Sequence, residues 1–257
     1  MNDDADLRAA LANAGLDWIV PRWNVPGHVH ALVTTRNAGA RPFDAAPRDD
    51  DPRRAPAGEH DELLMRFVPA LPRWLVQVHG ADVAIHEPTD DATRARVADA
   101  AITAAARVVC AVRTADCLPV LFADRNGRAV GVAHAGWRGL AGGVLEATVG
   151  AFTRRGVEPR ALVAWLGPAI GPTAFEVGAD VRDAFVRADA HAVHAFVSGA
   201  PGKWLCDLEA LARLRLARCG VEHVAGGGLC TVRDHAWFHS WRRDRTAARM
   251  AALIWMA

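Results

Sequence analysis

Residues 108–139, VVCAVRTADCLPVLFADRNGRAVGVAHAGWRG, contain three short apolar runs separated by turns. The runs cover residues 108–112, 118–123 and 129–134, and a run of four to six apolar residues between turn signals is typical of a buried strand. The sequence DRNG at 124–127 marks a turn between the second and third runs. This stretch therefore predicts consecutive strands of a buried sheet.

Two of these runs lead to a residue that can bind a metal, and an apolar run at 74–78 does the same at His79. The run at 108–112 leads to Cys117, and the run at 129–134 ends on His134. If the three strands lie side by side, their ends place two imidazoles and one thiol at one rim of a sheet. Three protein ligands with an open fourth position are typical of a catalytic zinc site.

The same residues allow other interpretations. Cys117 and His134 also suit a nucleophile and its general base, in which case no metal is needed. Taken alone, each of the three is better explained as an ordinary residue at a strand end, and it is the occurrence of all three in turns after strands that favours a site. Asp116 precedes the cysteine and is a candidate to orient a ligand, to act as a general base or to cap a turn. Glu176 is a candidate acid or base, with a structural role as its alternative.

Three arginines are candidates for binding an anion. Arg138 lies in a Gly-Trp-Arg-Gly segment that joins a strand to a helix directly after His134. Glycines allow backbone N–H groups to approach an anion, and a guanidinium adds a forked contact to phosphate. Arg36 follows a predicted strand at 30–35, and Arg242 stands in the sequence SWRRD before the last predicted element. Surface ion pairs and a solvated turn are the alternatives for these arginines.

Composition limits the class of protein. The chain has 257 residues, 51% of them hydrophobic, and a net charge of +1, which favours neither nucleic acid nor an acidic membrane as partner. Five cysteines at irregular spacing favour a reducing compartment over a disulfide framework. The acidic start MNDDAD lacks the features of a signal peptide, and no apolar run approaches the ~20 residues of a membrane span. We therefore expect a soluble cytoplasmic protein.

Strand and helix signals alternate without a strict βα order, which favours an α+β fold with mixed sheets. A proline-rich charged loop is expected at 44–58, and further strands at 30–35 and 162–166. Helices are predicted at 5–14, 59–67, 140–154, 180–188, 207–219 and 246–255.

Six motifs in this order resemble the YfiH family, whose members are also called laccase-domain or polyphenol oxidase proteins. They are QVHG (77–80), TADCLPVLFAD (114–124), GVAHAGWRG (131–139), GPAIGPTAFEVG (167–178), LCDL (205–208) and SWRRDRTAARMAALIW (240–255). The resemblance covers about residues 28–256. It implies an α+β fold of layered mixed β-sheets with outer helices, the YfiH-like putative cysteine hydrolase fold. It also implies a single domain over 1–257, with 1–27 as an N-terminal extension.

The resemblance also implies a function. A metal, usually zinc, is expected on His79, Cys117 and His134. The implied activity is phosphorolysis of purine nucleosides (adenosine, inosine and methylthioadenosine), together with adenosine deaminase activity. The implied partners are thus a purine nucleoside and phosphate. Two alternatives remain: a metal-independent cysteine hydrolase or amidase that edits peptidoglycan precursors, and a copper-dependent polyphenol oxidase.

These reactions assign roles to the candidate residues. In phosphorolysis, Arg36 and either Arg138 or Arg242 bind the phosphate, which attacks the anomeric carbon. Deamination requires water activated by zinc, with Asp116 or Glu176 as proton carrier. The chain lacks the HxE…PCxxC signature of known zinc deaminases. It also departs from two motifs of the family. The TRxGG motif is here TRNAG (35–39), and the FFSYRRD motif is here FHSWRRD (238–244).

Overall fold

The computed structural model of the protein describes residues 4–39, 41–46 and 59–257. The helices in these ranges are α1 (Asp4–Asn13), α2 (Glu59–Met65), α3 (Trp137–Ala141), α4 (Val144–Thr153), α5 (Ala179–Val186), α6 (Leu208–Arg218) and α7 (Trp241–Asp244). The strands are β1 (Val29–Val33), β2 (Asn37–Ala38), β3 (Arg41–Pro42), β4 (Leu75–Val76), β5 (Val83–Ile85), β6 (Arg96–Val97), β7 (Ala100–Thr103), β8 (Cys110–Thr114), β9 (Leu118–Asp124), β10 (Val130–Ala135), β11 (Leu162–Leu166), β12 (Glu176–Val177), β13 (Phe196–Ser198), β14 (Trp204–Cys206), β15 (His223–Gly226) and β16 (Met250–Met256). Two 3-10 turns cover Pro159–Ala161 and Ala190–Ala195.

The architecture is α+β, with layered sheets of mixed direction. A six-stranded sheet has the order β15-β11-β9-β10-β7-β5, and a three-stranded sheet has the order β1-β16-β8. Strands β11 and β15 pair in parallel, as do β5 and β7, whereas β9 and β10 pair antiparallel. A second three-stranded sheet, β12-β14-β13, and the pairs β2-β3 and β4-β6 lie around these two. The prediction of an α+β fold with mixed sheets is confirmed.

Successive side chains point to opposite faces of each strand, and the apolar side chains on these faces form three buried layers. Val120 and Phe122 of β9 pack against α4, α5 and α6, whereas Leu121 and Ala123 of the same strand pack against the three-stranded sheet. The far face of that smaller sheet is covered by α1 and α2. The central strands of both sheets are therefore buried on their two faces, which is why they are largely apolar rather than alternating with polar residues.

The prediction of a C-terminal helix at 246–255 is wrong. The segment forms β16, the central strand of the β1-β16-β8 sheet, and it is antiparallel to both neighbours. Leu253 and Trp255 face α1 and α2, while Ile254 faces the six-stranded sheet. A strand buried on both sides has no polar face, so its sequence shows no period of two and cannot be told from a buried helix by periodicity.

Other elements differ in extent from their predictions. The helix predicted at 140–154 is split into α3 and α4 by Gly142 and Gly143, the second of which has φ +93°. The strand predicted at 74–78 is only the two residues of β4. Most of the loop predicted at 44–58 lies outside the described residues. Among the described helices, none combines the length and apolar character needed to cross a bilayer.

A buried histidine makes stability depend on pH. His86 is 2% exposed, its Nδ1 lies 3.7 Å from an Asp90 carboxylate oxygen, and burial together with nearby Arg96 lowers its pKa to about 4. The unfolded chain takes up a proton at about pH 6.5, whereas the folded chain resists it, so stability falls as the pH falls from about 6.5 to 4. The expected loss of unfolding free energy is up to about 3 kcal/mol.

Urea denaturation at several pH values checks this expectation. The His86→Gln variant should lose much of the pH dependence between 6.5 and 4, whatever its absolute stability. The exposed His194 gives a matched control, because His194→Gln should leave the dependence unchanged. An identical pH slope in wild type and His86→Gln would assign the acid sensitivity to other groups.

Candidate metal centre and cavity

The three predicted metal ligands meet where sheets join. Cys117 lies in the turn from β8 to β9, which passes from the three-stranded to the six-stranded sheet. His134 lies near the end of β10, and His79 follows β4, which pairs with β6 in a separate two-stranded sheet. The strands thus belong to three different sheets and do not lie side by side as expected. Their ends still converge, because β10 and β8 pack against each other across the sheet interface.

The side chains form one compact cluster. One donor atom from each of His79, Cys117 and His134 lies within 4.8 Å of the other two. The Cys117 sulfur is 3.8 Å from His79 Nε2, and the two imidazole rings meet edge to face with centroids 4.9 Å apart. His134 is buried, Cys117 is partly buried and His79 is exposed, so the cluster opens to one side.

Asp99 organises this cluster. Its buried carboxylate lies 2.8 Å from His134 Nδ1, so that nitrogen donates and Nε2 remains for a metal. The same carboxylate accepts backbone N–H bonds from Val78, His79 and Gly80 at 3.0, 3.0 and 2.7 Å. A carboxylate behind a metal-binding histidine fixes its tautomer and ring orientation. One side chain therefore holds both histidine ligands.

Two residues of the site adopt a backbone conformation that favours glycine. His79 has φ +61° and Asp116 has φ +86°. Such conformations cost of order 1–3 kcal/mol for other residues and persist where the surroundings enforce them. The bonds from Asp99 to three successive N–H groups stabilise the turn at His79.

The cluster is also organised electrostatically. Burial opposes charge on both Cys117 and His134, but the imidazoles of His134 and His79 lower the pKa of the Cys117 thiol to about 6. In return, Cys117 and Asp99 raise the pKa of His134 to about 9. Asp99 itself is kept ionised, because hydrogen bonds from His134 and two backbone N–H groups outweigh its burial and lower its pKa. A thiolate at neutral pH is the form of cysteine that binds metals.

The donor set fits a metal of intermediate softness. One thiolate and two imidazoles are ligands for zinc, and three protein ligands leave a position open toward the cavity. The same set also suits copper, which accepts imidazole and thiolate donors. No other group of three or more potential ligands stands together in the parts of the chain described.

Gly136 leaves room for this cluster. A Cβ atom at this position would lie 2.7 Å from the Cys117 sulfur and 3.1 Å from His79 Cδ2. Gly136→Ala is therefore expected to displace both ligands and to weaken metal binding by about tenfold or more, as for other losses of ligand orientation. Competition with a chelator measures the affinity. Gly27→Ala is the control, because its Cβ meets nothing within 4 Å, and equal affinities in both variants would contradict the expectation.

The cluster opens into a cavity of about 550 Å³. This volume lies in the usual range for small-molecule sites. The cavity wall combines apolar and aromatic side chains with several arginines. Besides the three clustered residues, it is lined by Leu75, Val76, Gln77, Arg113, Ala115, Asp116, Trp137, Arg138, Ile170, Phe175, Leu208, Trp241, Arg242 and Arg249.

Two of the three predicted anion-binding arginines reach this cavity. Arg138 is exposed and stacks on Trp137, with 4.5 Å between its guanidinium carbon and the ring centroid. Arg242 lies 5.5 Å from the Phe175 ring centroid. Arg36 is not among the lining residues, and its guanidinium donates to the His235 carbonyl oxygen.

The predicted carboxylates are placed differently from each other. Asp116 lines the cavity, and its two oxygens accept hydrogen bonds from the Thr231 hydroxyl and the Arg242 N–H. Glu176 is exposed and outside the lining, and its carbonyl oxygen accepts a bond from the Arg242 guanidinium.

Sequence reasoning missed three residues of this region. Asp99 stands just before β7, and only the crossing of three segments shows its role. Arg113 is a charged residue within the apolar run of β8; it is 7% exposed and stacks 4.1 Å from the Trp74 ring centroid. A charged residue in a strand that is otherwise apolar could have indicated a buried polar role from the sequence alone. Arg249 precedes β16, which was mistaken for a helix.

Comparison with known proteins places this geometry in a family. A family model described as "Multi-copper polyphenol oxidoreductase laccase" matches residues 30–257. The chain is 49% identical over 246 residues to a Pseudomonas aeruginosa protein named a purine nucleoside phosphorylase, covering 93% of this chain and 98% of that protein. An Escherichia coli protein named purine nucleoside phosphorylase YfiH is 46% identical over 244 residues, covering 93% and 98%.

A solved structure shows the same fold. The crystal structure of Neisseria meningitidis protein NMB0706 matches with a TM-score of 0.83 and 42% identity, covering 93% of this chain and 99% of that one. Fold and sequence both match over 93% of the chain. The protein belongs to the YfiH family of laccase-domain proteins.

Proposed function

We propose that this protein is a zinc-dependent purine nucleoside phosphorylase acting on adenosine, inosine and methylthioadenosine. The observation that carries the proposal is the His79–Cys117–His134 cluster, which opens into a cavity whose wall also bears arginines. Its relatives named purine nucleoside phosphorylases support the choice of reaction. Zinc held by the cluster supplies a Lewis acid at the cavity wall.

The chain's own residues have separate tasks in this reaction. Arg138 and Arg242 bind inorganic phosphate, because guanidinium groups bind its oxygens through paired N–H donors. The aromatic rings of Trp137, Phe175 and Trp241 give the purine and ribose apolar contact area. With the nucleoside held between these groups, an oxygen of bound hydrogen phosphate attacks the anomeric carbon and the bond from that carbon to the purine nitrogen breaks. The proton that the phosphate loses passes to the departing purine.

We also propose adenosine deaminase activity at the same site. Adenosine loses its amino group to water in that reaction and becomes inosine, so phosphate is not consumed. The two reactions can therefore be separated by their products. Ribose-1-phosphate and free base report phosphorolysis, whereas inosine formed without phosphate reports deamination.

Elemental analysis followed by product assay tests the proposal. Purified protein should contain about one zinc per chain, bound by the His79–Cys117–His134 cluster. It should release ribose-1-phosphate from adenosine, inosine and methylthioadenosine only when phosphate is present. Removal of zinc by a chelator should abolish this release, and added zinc should restore it. Zinc-loaded protein that cleaves none of these nucleosides would refute the phosphorylase proposal.

A second candidate function is a metal-independent cysteine hydrolase or amidase acting on peptidoglycan precursors. Its supporting observation is that donor atoms of Cys117 and His134 lie within 4.8 Å of each other and that His134 is hydrogen-bonded to Asp99, an arrangement that resembles a nucleophile, base and orienting carboxylate. Absence of stoichiometric metal together with rapid alkylation of Cys117 would favour this function. Protection of Cys117 by bound zinc would favour the phosphorylase.

Copper-dependent oxidation of phenols is the third candidate. The family model's description mentions multi-copper proteins, and the donor set suits copper. A multi-copper centre needs several groups of ligands, whereas the described residues bring together one. Phenol oxidation by copper-loaded protein, absent in the zinc form, would support it.

A further inference from the structure

Asp116 joins the cysteine ligand to three other segments. Its carbonyl oxygen accepts an N–H bond from Ile170 at 2.9 Å. One carboxylate oxygen accepts the Thr231 hydroxyl at 2.5 Å, and the other accepts the Arg242 N–H at 2.6 Å. The residue next to Cys117 thus holds two walls of the cavity, at Ile170 and at Arg242.

The bond to Arg242 matters because the helix that bears it is short. Helix α7 has four residues, and the N–H groups of such a first turn have no partners within the helix. The Ser240 hydroxyl oxygen accepts the backbone N–H of Arg243, and the Asp116 carboxylate accepts the backbone N–H of Arg242. The Asp116 carboxylate is therefore a second anchor for the start of α7, supplied by a distant part of the chain.

The conformation of Asp116 directs its carboxylate to this task. With φ +86°, the backbone leaves the extended path of β8, and the side chain reaches Thr231 and Arg242 across the sheet junction. Aspartate and asparagine are among the few residues other than glycine that tolerate positive φ. Both oxygens are already engaged by protein donors.

We propose that Asp116 is a positioning residue. By holding the backbone of Arg242 next to Cys117, it fixes the position of the Arg242 guanidinium, so that phosphate bound by Arg242 lies beside the metal centre. The inference rests on the proposed function for the identity of the anion. It assigns Asp116 an action through Arg242 rather than a proton transfer to substrate.

Two variants that accept the backbone conformation test this assignment. Asp116→Gly removes the carboxylate and suits positive φ, whereas Asp116→Asn keeps the shape but can accept with only one atom. The affinity of zinc-loaded protein for inorganic phosphate, measured by calorimetry, should fall about tenfold or more in Asp116→Gly and less in Asp116→Asn. Zinc content should stay at the wild-type level in both. Glu158→Gln, an exposed carboxylate elsewhere, should change nothing.

Kinetics separate positioning from proton transfer. Positioning predicts a raised KM for phosphate with a smaller change in kcat, and an unchanged pH profile in Asp116→Asn. A large fall in kcat with an unchanged KM, or a lost limb of the pH profile, would overturn the inference in favour of a proton carrier. Loss of zinc from the variants would also overturn it, since Asp116 would then serve the metal site.

Phosphate binding keeps this test distinct from that of the proposed function. If wild-type protein binds phosphate and Asp116→Gly weakens the binding, the inference is supported even where no nucleoside is cleaved. If wild-type zinc protein does not bind phosphate, the inference is overturned.

Discussion

Protein carrying Cys117→Ala is expected to lose its bound zinc and its nucleoside turnover together. Cys117 supplies the one thiolate of the cluster, and the two nearby imidazoles hold its pKa at about 6, so it is ionised at neutral pH. Without it, two histidines remain, and two ligands do not hold zinc against a chelator as three do. Loss of the Lewis acid should lower turnover by about a thousandfold or more.

Zinc per chain and release of ribose-1-phosphate are the measurements. Cys219→Ala is a matched control, because Cys219 is also a partly buried free cysteine but lies at the end of α6, outside the cluster. It should keep full zinc content and turnover. Full activity in metal-free Cys117→Ala protein would remove the metal centre from the mechanism.

The clustering of His79, Cys117 and His134 was predictable because each stands at the end of, or shortly after, a recognisable apolar run. His79 and Cys117 lie in the turns after β4 and β8, and His134 lies near the end of β10, at strand ends where binding residues concentrate. The prediction of one common sheet rim was wrong because strand pattern gives no information on which strands pair. The ligands converge through the packing of separate sheets.

The residues around the ligands were not predictable in the same way. Asp99 acts through three backbone N–H groups of a turn some twenty residues earlier in the chain and through a histidine on another strand. No local pattern marks such a carboxylate. Arg249 was hidden by the apolar sequence of β16, in which burial on both faces erases the period of a strand.

Asp99→Asn is expected to damage the site while leaving every ligand in place. The carboxylate accepts four hydrogen bonds, two on each oxygen, from three backbone N–H groups and His134. An amide replaces one of these oxygens with an NH₂ group. In either orientation of the amide, that NH₂ group therefore faces two of the four donors and cannot accept their hydrogen bonds. Two donors then lose their acceptor beside the fully buried Asp99 side chain, and the expected loss of stability is about 3 kcal/mol. Because His134 loses its fixed orientation, zinc affinity should also fall by about 10- to 100-fold.

Asp82→Asn is the control, because Asp82 is an exposed aspartate next to Asp99. The two are joined by a backbone hydrogen bond of 3.1 Å from the Asp99 N–H to the Asp82 carbonyl oxygen, and the Asp82 side chain takes no part in it. This variant should match the wild type in urea denaturation and in chelator competition. The two effects of Asp99→Asn have separate origins, so added zinc in excess should restore part of the turnover without restoring the stability of the metal-free chain. Wild-type zinc affinity in Asp99→Asn would show that His134 is oriented by its strand alone, and that the carboxylate serves only the turn at His79.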